Sequence, residues 1–462
     1  MPMIAPKQIT VTQMEPLRIK DNSKVGKDET DKIPNLTGRI EDRTLKDLEK
    51  EGVFVFPGAI KDAEDITGEQ MVLQSRDGSY WSSNVMGFLG YGDERLTIES
   101  RFSGDGEDHF LPYLLGKALG LPNILDLMTE ASVDSNPLNF LALLFPYYLK
   151  KALRKGVYRE YTRNLYNDAN VKGPIDVARH IRLNTPFTGK VAYSQRELSC
   201  DNGLTELVRH TAEFIRGKPY GNRILATARD EVRIITEATP GYKPSDRQRV
   251  IGQNGKNPVR HAYFREYLAL QRLCLQILRD QRHRIGDGGN RIYGVLFDGA
   301  WLWEEYVNSL IGDCFHHPMN KSHKGKQYLF QGPNRKEGEI YPDFISKRDD
   351  PRVIADAKYK PVKKVGNKDY LQVLAYMFRF DAKEGYYLYP YAEKDAEKEG
   401  AAGRTLRMNR GVTYENNVSP REDIRLTKLG LKIPQDAKDY KDFEAKIEES
   451  ERKFKEPLQP RG

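Results

Sequence analysis

Cysteine is scarce in this chain of 462 residues. There are three, Cys200, Cys274 and Cys314, far apart and without a C-x-x-C pair. This excludes a disulfide framework, a zinc ribbon and an iron–sulfur cluster built on four cysteines, and makes a reducing cytoplasm the expected compartment. Long apolar runs are equally missing: the longest, residues 140–149, is too short to cross a bilayer and is interrupted by Pro146. No apolar stretch follows a basic start at the N-terminus, so no signal peptide is expected. A nucleotide-binding G-x-x-x-x-G-K-[S/T] loop is absent as well. IGQNGKNPV, around Gly252, lacks both the glycine spacing and the hydroxyl residue after lysine.

What is present points to a folded, multi-domain protein. Hydrophobic residues make up 39% of the chain and charged residues 30%, and the length favours two or three domains. A formal net charge of +8 and a pI near 9.0 permit a nucleic-acid partner without requiring one. The periodicity changes twice along the chain. Over about the first hundred residues it is strand-like: GVFVFPGAI and EQMVLQS read as strands, and NVMGFLGYGDERLTIESRF as a β-hairpin turning near Gly92-Asp93; HFLPYLLGKALG then has helical spacing. Residues 136–290 have helical spacing, closing with a long amphipathic helix that carries Cys274 on its apolar face and stops near Gly286. From residue 291 the order is a helix (FDGAWLWEEYVNSLIGDCF), three strands (KQYLFQG, EIYPDFIS, RVIADAKYK), a helix (NKDYLQVLAYMFRF) and a strand (EGYYLYPYA). A charged tail follows, with one strand near DIRLTKLG and a terminal helix. The expected fold class is therefore multi-domain α+β: a β-rich N-terminal domain (1–135), a helical middle domain (136–290) and a C-terminal αβββαβ domain with a charged extension (291–462).

Three charges interrupt the apolar pattern of that last domain. Asp343 lies in one strand that ought to be buried, and Asp356 and Lys358 in the next, where an unpaired charge is costly. Residues two apart share a strand face, so Asp356 and Lys358 point together, away from Ala355 and Ala357. The turn-rich KRDDP joins the two strands as an antiparallel pair, which brings Asp343 beside Asp356. Two adjacent carboxylates stay ionised together only with a cation between them. Their oxygens suit a hard ion such as Mg²⁺ or Mn²⁺. A lysine beside that ion can hold a water or stabilise charge on a phosphate. The plainer alternative is a structural ion pair. Cys314, His316 and His317 bring three more ligand types together in sequence, but without a convincing fourth.

Pro342-Asp343 followed by Asp356-Ala357-Lys358 resembles the motif of the PD-(D/E)xK nuclease superfamily, whose core has the same αβββαβ order. Gln372 and Tyr376, a Q-x-x-x-Y on one helix face, resemble its RecB-like branch, as does Glu304, with Glu305 the other candidate. Upstream, Lys155-Gly156, Tyr161, Gly173-Pro174-Ile175-Asp176, Glu197 and Asp201 resemble McrC, the nuclease subunit of McrBC-type modification-dependent restriction systems. Pro174 stands where that family has arginine, and Leu204-Thr205 where it has an asparagine. The resemblance covers about residues 84–392. It implies a Mg²⁺- or Mn²⁺-dependent DNA endonuclease with Asp343, Asp356, Lys358, Glu304, Gln372 and Tyr376 as catalytic residues. Asp343, Asp356 and Glu304 would be the metal ligands. It also implies that residues 1–135 dock into a partner ring, the AAA+ GTPase McrB. That ring would supply nucleotide hydrolysis and recognition of modified double-stranded DNA, and the chain would in turn stimulate the hydrolysis. No membrane association is expected. Two other readings compete. A stand-alone RecB-like or Cas4-like repair nuclease is disfavoured in its Cas4 form by the lack of four clustered cysteines. A non-catalytic adaptor of a DNA motor is disfavoured by the intact Asp343, Asp356 and Lys358.

Overall fold

The computed structural model describes residues 16–56, 70–119, 137–279, 292–318, 325–395, 403–412 and 417–459. It divides into two compact units, residues 1–128 with 289–462, and residues 129–288. The β-rich beginning and the C-terminal region, separate domains in the sequence reading, thus share one unit. One strand explains the difference. Tyr293–Asp298 lies inside the N-terminal sheet, antiparallel to Val85–Tyr91 and parallel to Val53–Phe56, with Glu94–Glu99 and Leu17–Lys20 completing five strands. Five of its six residues are buried, as expected of a strand covered on both faces. Where it crosses Val85–Tyr91, Gly87 and Gly294 take φ of +141° and +151°, and a Cβ on either would run into the other strand's backbone. Only glycine fits that approach. The hairpin at Gly92-Asp93 is present, with Tyr91 opposite Glu94 and with Leu96 and Ile98 buried.

The second sheet of this unit has six strands in the order Phe315–His316, Phe344–Ser346, Val353–Ala357, Glu384–Ala392, Ser419–Ile433, Gly403–Arg410. Two expected strands are placed differently from the sequence reading. KQYLFQG forms Gln327–Gln331, but it pairs with Lys336–Ile340 in a separate two-stranded sheet. EIYPDFIS is not one strand: pairing stops at Ile340 and resumes at Phe344. Pro342, which has no N–H to donate to a ladder, lies in that break beside Asp343. The helix Asn367–Arg379 covers one face, packing Val373, Tyr376 and Met377 on Ile354, Tyr387 and Leu426. The charged tail is part of the architecture. It adds two strands to the sheet and ends in the helix Tyr440–Lys455, whose buried Glu451 accepts hydrogen bonds from Tyr113 and Tyr306.

The second unit is mainly helical, with helices Pro137–Leu153, Gly203–Arg216, Arg229–Ala238, Arg247–Lys256 and Glu266–Arg279. Cys274 is buried in its core, as its helix face implied; the stop near Gly286 lies outside the described residues. The helical reading fails at 160–199. Gly156, at φ +87°, ends the preceding segment, and Glu160–Asp168 then pairs antiparallel with Val191–Ser199, with the short helix Val177–Leu183 between them. Tyr161, Thr162 and Tyr166 are strand formers, and exposure alternates along residues 162–166, with Arg163 and Leu165 outward. This hairpin leaves many large apolar side chains exposed, among them Tyr161, Leu165, Val177, Ile181, Phe187 and Leu198. Among the described residues no helix is long and apolar enough to cross a membrane.

Candidate active site

The strand Val353–Ala357 (VIADA) is built to be central: β-branched and small residues, the first four buried, paired antiparallel with Phe344–Ser346 and parallel with Glu384–Ala392. Ile354 packs under the helix Asn367–Arg379, so Asp356 and Lys358, two and four residues on, face that helix. Asp356 is 1% exposed, and Lys358 Nζ lies 2.8 Å from its Oδ2. The same ammonium donates to Gln372 Oε1 at 3.3 Å. Gln372 Nε2 donates to the Tyr376 hydroxyl at 2.8 Å, and that hydroxyl donates to the Tyr341 carbonyl at 3.4 Å. Gln372 and Tyr376 thus link the lysine to the chain just before Asp343. Burial pushes the Tyr376 phenol up to about 12, so it remains a donor at neutral pH.

Asp343 is held by the main chain, its Oδ2 accepting from the Ala357 N–H at 2.9 Å. The register, Phe344 opposite Ala355, puts it next to Asp356, as the antiparallel reading required. Its carboxyl is raised well above the ordinary carboxylate range, first by burial and then by the negative charges of Asp356 and Glu304; Lys358 and the Ala357 N–H act against this. The helix Gly299–Ile311, capped by Asp298 accepting from Ala300 and Trp301, presents Glu304. Between the two candidate glutamates, Glu304 is the one whose charge acts on Asp343, while Glu305 accepts from Trp301 Nε1 at 3.2 Å. All six residues singled out in the sequence are therefore brought together.

A seventh joins them. The pairing of His316 with Ile345 carries His317 alongside Phe344, on which its ring stacks at 4.9 Å. His317 Nδ1 lies 2.8 Å from the Asp343 carbonyl oxygen, which makes Nδ1–H the donor. Its Nε2 lies 3.6 Å from Glu304 Oε1 and 3.9 Å from Glu305 Oε1. Burial lowers its proton affinity, but both glutamates and the Asp343 carbonyl outweigh burial and the net direction is upward. His316 is exposed and Cys314 half-buried, so the sequence cluster of Cys314, His316 and His317 does not form a joint site. The signal for His317 was only that a strand after the Glu304 helix could pair beside Asp343.

Among the described residues, no group of three or more His, Cys, Asp and Glu side chains is gathered tightly enough to hold a metal as it stands. The electrostatics nonetheless fit a cation. Three carboxylates are close enough that two of them raise the proton affinity of the third, with one lysine opposing. A divalent ion relieves that repulsion, and oxygen donors suit Mg²⁺.

The residues upstream that carried the McrC resemblance have structural roles in the second unit. Asp176 caps Val177–Leu183 by accepting from Arg179, Glu197 accepts from Asn164 and Tyr166, and Asp201 accepts from Gly241 N–H.

Residues 82–390 match the family model described as McrBC 5-methylcytosine restriction system component. The chain belongs to that family. The match spans almost the stretch, 84–392, on which the McrC resemblance rested, and leaves the two tail strands and the final helix outside. Among solved structures, the McrBC member resembles a half-complex from a tetradecameric assembly of Thermococcus gammatolerans McrB AAA+ hexamers with bound McrC. There the identity is 14%, coverage is 96% of this chain and 100% of that chain, and the TM-score is 0.47. It also resembles the Thermococcus gammatolerans McrBC complex, at 16% identity over 64% of this chain and 87% of that chain, with a TM-score of 0.30. No curated protein matches the chain.

Proposed function

We propose that this chain is the nuclease subunit of an McrBC-type restriction system, a Mg²⁺- or Mn²⁺-dependent endonuclease that hydrolyses phosphodiester bonds of double-stranded, modified DNA. The observation that carries this reading is the convergence of Asp343, Asp356, Lys358 and Glu304, backed by Gln372 and Tyr376, which supports a nuclease of the PD-(D/E)xK type. Asp343, Asp356 and Glu304 would hold the ion. When bound, it supplies Lewis-acid polarisation of the phosphate and a more acidic water. Lys358, fixed by Asp356 and Gln372, is positioned to orient that water or to meet charge developing on the phosphate oxygens. Water oxygen bonds to phosphorus and gives up a proton to solvent, while the ester oxygen leaves with the electrons of the broken P–O bond and takes up a proton from solvent to become a hydroxyl. His317 bridges the Asp343 backbone and Glu304, and so acts as a positioning residue.

The partner in this reading is an McrB-like AAA+ GTPase ring that recognises the modification and whose hydrolysis the chain stimulates. Residues 1–135 were the expected docking region. Among their described residues Trp81 is the single large apolar side chain that is exposed, whereas residues 160–199 expose many. Exposed apolar clusters mark protein interfaces, so we assign docking to the 160–199 hairpin. Deleting residues 1–135 is not a clean test, because Tyr293–Asp298 would lose its neighbours in the sheet.

The experiment is to purify the chain with and without its ring and to assay cleavage of plasmid carrying or lacking 5-methylcytosine, alongside Asp356→Asn and Leu165→Asp/Phe187→Ser. Cleavage should require wild-type chain, ring, GTP and Mg²⁺. The Leu165/Phe187 variant should lose co-elution with the ring and stimulation of its hydrolysis while remaining folded. Ring-independent cleavage would favour a stand-alone repair nuclease. Wild-type cleavage by Asp356→Asn would refute the catalytic assignment.

A further inference from the structure

Residues 358–368, KYKPVKKVGNK, hold five lysines and no acidic residue, in a chain whose 74 Lys and Arg are nearly balanced by 66 Asp and Glu. This stretch leaves the candidate site directly, connecting the Asp356 strand to the helix Asn367–Arg379. It is pinned at both ends. Lys358 contacts Asp356 and Gln372, while Lys360 pairs with Asp369 at 2.8 Å and the Gly366 N–H donates to the same carboxylate at 2.9 Å. The turn between, Val362–Lys364, leaves Lys363 and Lys364 exposed. Lys368, also exposed, lies one helical turn before Gln372 and shares its face. A further ammonium comes from the tail. Lys428 is in lateral register with Asp356 through Tyr387, and its Nζ reaches 3.5 Å from the Val365 carbonyl and 5.1 Å from the Tyr370 ring.

Lysines on a protein surface are ordinarily interspersed with carboxylates, which limits their mutual repulsion. Here the one carboxylate in the turn region, Asp369, is already paired with Lys360. For Lys363, Lys364 and Lys368 no ion pair is found among the described residues. A like-charged row on a pinned backbone, starting at a carboxylate cluster, is suited to a polyanion that passes the site. Lysine ammoniums act as point charges, and contacts they make to successive phosphates carry no sequence preference.

We propose that this turn is the phosphate track of the site. Lys363, Lys364, Lys368 and Lys428 hold the DNA backbone flanking the phosphodiester presented to Asp343, Asp356 and Lys358. The proposal rests on the nuclease reading and adds the surface that delivers its substrate.

The test measures equilibrium binding of a labelled duplex of arbitrary sequence to the full-length chain in EDTA, across a series of KCl concentrations, with cleavage assayed separately in the ring complex. The triple variant Lys363→Gln/Lys364→Gln/Lys368→Gln should bind more weakly, and its slope of log affinity against log salt should fall by about 2.7, roughly 0.9 per lost phosphate contact. The triple Lys→Arg variant should restore the slope. Neutralising Lys27, Lys32 and Lys46, which are exposed elsewhere, removes the same charge and should leave the slope unchanged. Equal slopes for the two neutralised triples, or normal DNA binding with loss of ring co-elution from the first, would overturn the track. Asp356→Asn separates the two readings, because it should keep DNA binding and lose cleavage. If it cleaves normally the nuclease reading fails. If it is inactive while the track triple binds as wild type, the track alone fails.

Discussion

Asp343 is anchored to Ala357: its Oδ2 accepts the Ala357 N–H at 2.9 Å, which ties the broken strand before Phe344 to the strand carrying Asp356 and Lys358. The bond separates two functions of one carboxylate. Asp343→Asn keeps an oxygen that can accept from Ala357 but loses the charge, so cleavage should fall by ~10²-fold or more while the melting temperature changes little. Asp343→Ala should lose cleavage equally and also leave the Ala357 N–H without its partner, at a cost of about 1–3 kcal/mol. Asp356→Asn should destabilise more than Asp343→Asn, because it removes the counter-charge from Lys358 in a mostly buried pair. Thermal melts beside plasmid cleavage check the order; equal stability for both Asp343 variants would show that the anchor is not structural.

Ion dependence follows from the same cluster. Mg²⁺ and Mn²⁺ should support cleavage, whereas Ca²⁺, with more ligands in looser geometry, should bind without supporting it. Calorimetric titration of Mg²⁺ should give heat with wild-type protein and none with Asp343→Asn. Full activity in EDTA would rule the metal mechanism out.

Much of the site was legible because strands and helices have fixed periods. A period of two put Asp356 and Lys358 on one face, and the KRDDP turn fixed the antiparallel register that brings Asp343 to them. A spacing of four put Gln372 and Tyr376 in contact. What was not legible depends on long-range pairing. Nothing local to YGVLFD says that it enters a sheet begun more than two hundred residues earlier, and the exposed strand Gly403–Arg410 has too little apolar pattern to be recognised. His317 reaches the site through pairing of a two-residue strand, which leaves almost no periodic signal.

His317 can be dissected by two amides that each copy one ring nitrogen. Asparagine places its NH₂ near the position of Nδ1 and can donate to the Asp343 carbonyl; glutamine places its NH₂ near Nε2 and can donate to Glu304. If His317 positions Glu304, His317→Gln should keep Mg²⁺ affinity within about threefold of wild type, while His317→Asn and His317→Ala weaken it by ~10-fold. In a Glu304→Ala background the three substitutions should be indistinguishable. Equal Mg²⁺ affinity for all three in the wild-type background would leave His317 a packing residue.

Glu451 clamps the helix that carries Glu304. Its Oε1 accepts from Tyr113 and from Tyr306 at 2.7 Å each, although Glu451 lies outside the family match. Burial, followed by the Glu451 charge, holds both phenols far above their ordinary range, so both remain donors. Glu451→Gln keeps an acceptor and should cost about 1 kcal/mol. Glu451→Leu leaves two buried hydroxyls unpaired and should cost about 2–4 kcal/mol. Urea unfolding distinguishes them; equal loss would mean that charge, not hydrogen bonding, sets the contribution.

The second unit contains a histidine that should make it sensitive to acid. His210 is 1% exposed, its ring lies 4.6 Å from Tyr242, and Nδ1 has no hydrogen-bond partner among the described residues. Burial first, then the Arg247, Arg249 and Arg209 guanidiniums, push its proton affinity down from 6.5 to about 4, with Asp246 opposing. The folded state therefore favours the neutral ring. Its contribution is fully present above pH 6.5, where the unfolded chain also carries a neutral imidazole. It is lost as the pH falls from 6.5 towards 4, because the unfolded state takes up the proton first. The gap between 6.5 and about 4 corresponds to about 3 kcal/mol. His210→Phe keeps an aromatic ring against Tyr242 and cannot be protonated. The difference in unfolding free energy between wild type and His210→Phe should therefore be constant above pH 7 and should move in favour of the variant by about 3 kcal/mol as the pH is lowered to 4. Denaturant titrations at a series of pH values provide the measurement, and parallel stability curves would show that His210 titrates alike in the folded and unfolded chains.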